Sequence, residues 1–195
     1  MNQHRRRLTT AAAAVAGTLV LGAALTGCTN NDPPGELPAV TIATTTTTTT
    51  TVTLTPTEQA IKDAKATYTK YHAVTRKIAT SGGRDMEAYN SLEDVTVGDA
   101  LAQQQYRQRA FIDKGWTAHG PLPLVWMKAT KASPKSVTIQ SCADGRKAYI
   151  TGRDGKRIKD NDPRRFSETT VTLRPIGGTW KVTTPEEAMR VTSCG

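Results

Sequence analysis

Histidine, phenylalanine and cysteine are scarce in this chain, with three His, two Phe and three Cys in 195 residues. They are not grouped as familiar chemistry requires. No CxxC pair occurs, which removes zinc ribbons and thioredoxin-type redox centres. HExxH, GxSxG, the P-loop and GxGxxG are also missing, and with them the enzyme classes built on those motifs. Acidic residues are absent from residues 1–27, which hold three of the 26 Lys and Arg; without that stretch the formal net charge falls from +9 to +6. The longest apolar run, Ala11 to Leu25, is interrupted by Gly17, Thr18 and Gly22. It falls short of the ~20 residues that cross a bilayer comfortably as a helix. Large apolar side chains are few and scattered in residues 29–54, with no aromatic among them, so that stretch cannot build a core. Thr55 to Gly195 remains, enough chain for one domain with a real core but not comfortably for two, which argues against large multidomain enzymes and dinucleotide-binding architectures.

What is present begins with Arg5, Arg6 and Arg7 ahead of the Ala-rich run, a charged region followed by an apolar one, as in an export signal. The run ends in Leu25-Thr26-Gly27-Cys28. That tetrapeptide resembles the lipobox of bacterial lipoproteins. The resemblance implies cleavage between Gly27 and Cys28, acylation of Cys28, and attachment to the outer face of the cell membrane. Each buried acyl CH₂ contributes ~0.8 kcal/mol, so two or three chains hold a protein there almost permanently. The arginines also fit a loose twin-arginine export pattern, and the two export routes stay open.

Residues 28–54 read as a disordered stalk. Asn30 to Gly35 is turn-forming, and Thr occupies every position from Thr44 to Thr51. Fully extended at ~3.3 Å per residue, about 25 residues reach at most ~80 Å from the bilayer. The Thr-rich bias resembles O-glycosylated stalks of actinobacterial surface proteins; an unmodified tether is the other reading.

The folded part opens with Thr55-Pro56-Thr57-Glu58, a capping box with Pro at the first helical position. Ile61, Ala64, Tyr68, Tyr71, Val74 and Ile78 then recur every three or four residues, which predicts a long amphipathic helix ended by Gly82-Gly83. A short helix around Met86 to Leu92 and a second sizeable one from Val97 to Lys114, capped by Thr96 and stopped at Gly115, follow. Beyond Gly115 the period changes to strands: Leu124–Lys131, Ser136–Ala143, Lys147–Gly152, Glu168–Ile176 and Thr179–Thr184. Ser133-Pro134, Asp144-Gly145, Asp154-Gly155 and Gly177-Gly178 supply turns, so sequence neighbours are expected to pair as antiparallel hairpins. Gly120-Pro121-Leu122-Pro123 is expected to be an irregular lead-in.

Helices first and antiparallel strands afterwards is an α+β order, with helices on one face of a curved sheet. From the helix ending at Gly82-Gly83, the strand Val137 to Asp144, the tip Arg153-Asp154-Gly155-Lys156 and the late Gly178-Thr179-Trp180-Lys181-Val182, the domain resembles the cone-shaped nuclear transport factor two-like fold of small actinobacterial lipoproteins. A cystatin-like arrangement is the structural alternative. The fold serves enzymes, carriers and scaffolds alike.

With Cys28 acylated, Cys142 and Cys194 remain, a pair expected to oxidise outside the cytoplasm. Candidate cavity residues are Tyr68, Tyr71, His72 and Trp126, with Trp116 and Trp180 as further aromatics; a filled core would use the same side chains. Enzymes of the fold would cast Tyr68, His72 and Asp113 as acid and base, yet Tyr68 reads equally as core. Asp160-Asn161-Asp162 reads as a solvated turn rather than a cation loop, and neither metal nor cofactor is expected. Arg153, Lys156, Arg157, Lys159, Arg164 and Arg165 form a basic stretch. In a cytoplasmic protein it would suggest nucleic acid; outside the membrane the expected partners are anionic head groups, envelope polymers or an acidic protein. The leading expectation is a non-catalytic interaction module at the cell envelope. The alternatives are a carrier of a small apolar molecule and, third, an isomerase- or cyclase-type enzyme.

Overall fold

A computed structural model describes residues 53–195. The leader, Gly27, Cys28 and nearly all of the Thr-rich stalk lie outside the described residues. The domain is α+β, its helices packed against an antiparallel sheet.

Helix α1 (Pro56–Thr80) starts as its sequence dictates: the Thr55 hydroxyl accepts from the Glu58 N–H, and the Glu58 carboxylate accepts from the Thr55 N–H at 2.8 Å. Ala64, Tyr68, Tyr71 and Ile78 of its stripe are buried. Two short helices follow, α2 (Met86–Asn90) and α3 (Leu92–Val95), and then α4 (Asp99–Lys114). Thr96 does not cap α4. It is 1% exposed, its hydroxyl donates to Leu92 O at 2.8 Å, and the cap position belongs to Gly98 at φ +60°. Buried beside the sheet, the Thr96 hydroxyl satisfies the last turn of α3, and Val97 N–H is held by Val182 O at 3.1 Å.

The strands are β1 (Thr117–His119), β2 (Leu124–Ser133), β3 (Ser136–Asp144), β4 (Tyr149–Thr151), β5 (Phe166–Ile176), β6 (Thr179–Val182) and β7 (Glu187–Val191). The β2–β3 hairpin turns at Pro134-Lys135 and the β5–β6 hairpin at Gly177-Gly178, as their turn residues demand. The expectation that all sequence neighbours pair does not hold. β3 pairs with β5 rather than β4, while β4 leaves the main sheet and joins β1 in a separate two-stranded one. Gly120 explains part of this placement. It has φ +72°, and a Cβ there would stand 2.1 Å from Lys147 O, so β1 passes against the backbone leading into β4 only because residue 120 lacks a side chain.

β7 escapes the strand pattern because Pro185-Glu186-Glu187 interrupts it. It nevertheless continues along the β5 edge that β6 begins: Val182 lies opposite Leu173 and Glu187 opposite Thr170. Four residues, Thr183 to Glu186, span what β5 covers with Val171 and Thr172, so the strand bulges there. Proline, which lacks a donor, fits such a bulge.

The core lies between α1 and the sheet, around Tyr68, Tyr71, Val137, Ile139, Val171, Leu173 and Val182. Cys142 and Cys194 form a disulfide with Cα atoms 5.7 Å apart, tying the chain's last residues to β3. Its 52-residue separation stabilises the fold by about 4 kcal/mol on the chain-entropy account. The double replacement Cys142→Ser with Cys194→Ser is expected to lower the urea-unfolding free energy by about that amount. An unchanged midpoint would mean the bridge constrains nothing.

Candidate functional site

Between α1, the C-terminal end of α4, β5 and the β1–β4 sheet runs a cleft with two connected chambers. Arg76, Ala79, Phe111, Leu122 and Ser167 line both. The inner chamber measures about 280 Å³ and the outer about 470 Å³. Ligand cavities commonly fall in the range of ~300–1,000 Å³.

The inner chamber is lined by several polar side chains that largely satisfy one another. The Tyr68 hydroxyl is 2.7 Å from Ser141 Oγ, one turn of α1 before His72. The bulge before β7 directs Glu186 inward, where its carboxylate pairs with Arg107 of α4 and its backbone N–H donates to Gln103 Oε1 at 2.8 Å. Gln104 donates to the Tyr71 hydroxyl at 2.5 Å, and Gln108 to Gly83 O at 2.9 Å. The exception is His72 Nε2, buried without a hydrogen-bond partner. Burial holds the His72 pKa below its ordinary value, with Glu186 pulling the other way and Arg76 reinforcing the drop. Burial also pushes the Tyr68 hydroxyl up to about 12 and raises Tyr71.

The outer chamber has different walls. Phe111, Trp116, Leu122, Ile150, Ile158 and Phe166 supply apolar surface. Phe111 and Trp116 meet edge to face at 6.0 Å, and the Lys114 ammonium stands 4.2 Å over the Trp116 ring. Arg76, reaching from α1, donates to the carbonyls of His119 (3.0 Å) and Gly120, which fixes β1 as one wall. On the opposite rim Asp160 accepts from Arg190 at 2.6 Å and Arg165 at 3.1 Å, while Asp162 takes Arg164 in a two-toothed pair at 3.0 Å. These contacts fasten the loop before β5 to β7. They also keep both carboxylates ionised, Asp160 chiefly through Arg190, and Asp162, chiefly through Arg164, down to about 2.

The residues expected from sequence therefore separate. Tyr68 and His72 line the inner chamber. Tyr71 does not line either chamber: like Tyr68 it belongs to the core cluster, and its hydroxyl accepts from Gln104. Trp126 does not either, because its indole N–H donates to Cys194 O at 2.6 Å beside the disulfide, and Trp180 packs on the core. Asp113 is exposed and offers only its backbone carbonyl, which accepts from Arg153. Of the six basic residues, Arg157, Lys159, Arg164 and Arg165 line the outer chamber, whereas Arg153 is drawn off to Asp113 and Lys156 faces Asp154 at 3.8 Å. Sequence reasoning missed Arg76, Glu186 and Arg190, each isolated in its own segment with no local motif to mark it. Among the described residues no cluster of three or more His, Cys, Asp or Glu is placed to hold a metal ion, and no helix is long and apolar enough to cross a membrane.

No protein-family model and no curated protein matches the chain. Among solved structures it is distantly similar to the intermembrane space region of the chloroplast protein ARC6, at 12% identity and TM-score 0.46, over 66% of this chain and 98% of that one. A protein described as a candidate aromatic ring hydroxylase from Novosphingobium aromaticivorans gives 13% identity and TM-score 0.41 over 66% and 94%. A de novo designed beta-sheet protein gives 13% and 0.36 over 69% and 93%.

The half-buried His72 makes stability pH-dependent in a defined direction. Unfolded, His72 gains a proton as the pH falls through about 6.5; folded, its depressed pKa keeps it neutral further down. The unfolded state binds more protons in that window, so stability falls as the pH drops below about 6.5. Urea-unfolding free energies between pH 7.5 and 5 are expected to show this slope and to lose part of it in His72→Gln. Parallel profiles for the two proteins would contradict it.

Proposed function

We infer that the chain is a lipid-anchored, extracytoplasmic binding module without catalytic activity. Its domain is of the nuclear transport factor two-like kind and holds a small molecule in the two-chambered cleft. One observation carries the binding reading: beside the core under α1 a cleft remains that the protein's own side chains do not fill, and its wider part has an aromatic and aliphatic lining. Leu25-Thr26-Gly27-Cys28 behind a basic, apolar leader supports the anchoring, and the Cys142–Cys194 disulfide fits an oxidising compartment. The order of elements supports the kinship of the fold, with α1 packed against an antiparallel sheet that follows it in the chain.

The chemistry of the inner chamber supports a role without catalysis. A general acid or base works best with a pKa near the working pH. Tyr68 is pushed far above that, and its hydroxyl is engaged by Ser141. Glu186 is engaged by Arg107. His72 alone has a free nitrogen, with no proton-transfer partner hydrogen-bonded to it. The basic stretch, expected from sequence to meet an anionic partner on an open surface, becomes in large part the rim of the cleft.

Native mass spectrometry of the full-length protein, gently extracted from membranes of its own host, tests this reading. The expected spectrum shows an acylated Cys28 and a small-molecule mass retained on the folded domain. Ala79→Trp, which fills the junction of the two chambers, is expected to lose the retained mass and keep the acylation. An empty wild-type domain, or an Ala79→Trp variant that retains the mass, would remove the ligand reading.

A further inference from the structure

We propose that the outer chamber is a site for an amphipathic anion, its apolar body on the aromatic and aliphatic wall and its phosphate or carboxylate head held by Arg157 and Lys159. This deepens the binding reading above and rests on it. The charge of the lining is one-sided: six cationic side chains, Arg76, Arg157, Lys159, Arg164, Arg165 and Arg190, face the chamber against the single carboxylate of Asp160.

Those six are not equivalent. Arg76 is spent on the carbonyls of His119 and Gly120, and Arg164, Arg165 and Arg190 are spent on Asp160 and Asp162. Among the described residues, neither Arg157 nor Lys159 has a carboxylate within ion-pair distance. Both are exposed at the rim. Arg157 is nevertheless held in place, its guanidinium 4.8 Å over the Tyr149 ring, which in turn stacks on His119 at 4.9 Å. A guanidinium fixed by its flat face keeps its edge donors available, the arrangement that recognises a planar or tetrahedral oxyanion. Ile158 lies between the two cations in sequence and also lines the chamber, so head-group contact and apolar contact are adjacent on one short segment. A purely apolar molecule would leave two cations unpaired beside it, and a free inorganic anion would leave the apolar wall wet. A molecule carrying both parts satisfies both surfaces.

Titration calorimetry of the full-length chain carrying Cys28→Ser, so that no acyl group is attached, tests this with three probes: decyl phosphate and decyl maltoside below their critical micelle concentrations, and inorganic phosphate. Decyl phosphate is expected to bind at least tenfold more tightly than either other probe and to weaken as salt is raised, since exposed charges are screened within ~10 Å at 0.1 M. The double variant Arg157→Glu with Lys159→Glu is expected to cost decyl phosphate tenfold or more and to leave decyl maltoside unchanged. Ile158→Ser is expected to weaken decyl phosphate and not inorganic phosphate. Equal affinity for the charged and neutral amphiphiles, insensitive to the double variant, would overturn the anion assignment while leaving a ligand-binding cleft. Inorganic phosphate binding as tightly as decyl phosphate would reduce the site to one for free anions. No heat from any probe, together with an empty domain by native mass spectrometry, would overturn both readings.

Discussion

Everything in this domain is hung on β5, which pairs with β3 along one edge and with two successive strands along the other. A strand with both edges occupied has its register set from two sides, and a one-residue slip would turn its core face to solvent. Val171 and Leu173 are thereby kept under α1, opposite Ile139 and Val137 of β3. The second edge cannot be occupied by one uninterrupted strand. The bulge at Thr183 to Glu186 is tied down by the Thr183 hydroxyl donating to Thr172 O and the Thr184 hydroxyl accepting from Thr172 N–H. From that bulge Glu186 meets Arg107, and beyond it Arg190 meets Asp160. One irregularity in strand pairing thus serves both chambers.

The two chambers differ in how their polar groups are spent. Inside, desolvation makes an unpaired group costly, and hydroxyls, amides and the Arg107–Glu186 pair are engaged with one another. His72 stands apart, and its response to burial is to remain neutral. Outside, where water reaches the side chains, ion pairs contribute little stability, typically ~0–1 kcal/mol for exposed ones. Their role there is positional. Asp160 and Asp162 hold the long loop against β7, which brings Arg157, Ile158 and Lys159 to the mouth of the cleft.

Much of the fold was legible because local chemistry and global structure agree. Thr55 and Glu58 read as a capping box and form one; the stripe from Ile61 to Ile78 reads as a buried face and packs as one; Pro134 and Gly177-Gly178 read as hairpin turns and make them. Where legibility failed, a tertiary contact outweighed the local signal. Thr96 has the side chain of an N-cap, but burial beside β6 turned its hydroxyl back to Leu92. Asp144-Gly145 has turn chemistry, but the turn leads to a strand that pairs elsewhere. β7 hides behind Pro185-Glu186-Glu187, and only the open edge of β5 explains why Glu187 to Val191 is extended.

The site was legible in kind but not in membership. Tyr68 and His72 lie one turn apart on a helix, so sequence alone puts them on a common face. Tyr71 shares that spacing and still points into the core, because a helix face a few residues wide can meet both a sheet and a cavity. The amino-acid sequence by itself determined the α+β order, the availability of Cys142 and Cys194 as a pair, the run of Thr from Thr44 to Thr51 and the excess of positive charge in residues 153–165, since each is written in a contiguous stretch or a short period. The tertiary structure alone decided which of those cations are neutralised, which residues enclose empty space and where Arg76, Glu186 and Arg190 converge. Burial, pairing and cavity shape depend on segments far apart in the chain, and no local pattern encodes their meeting.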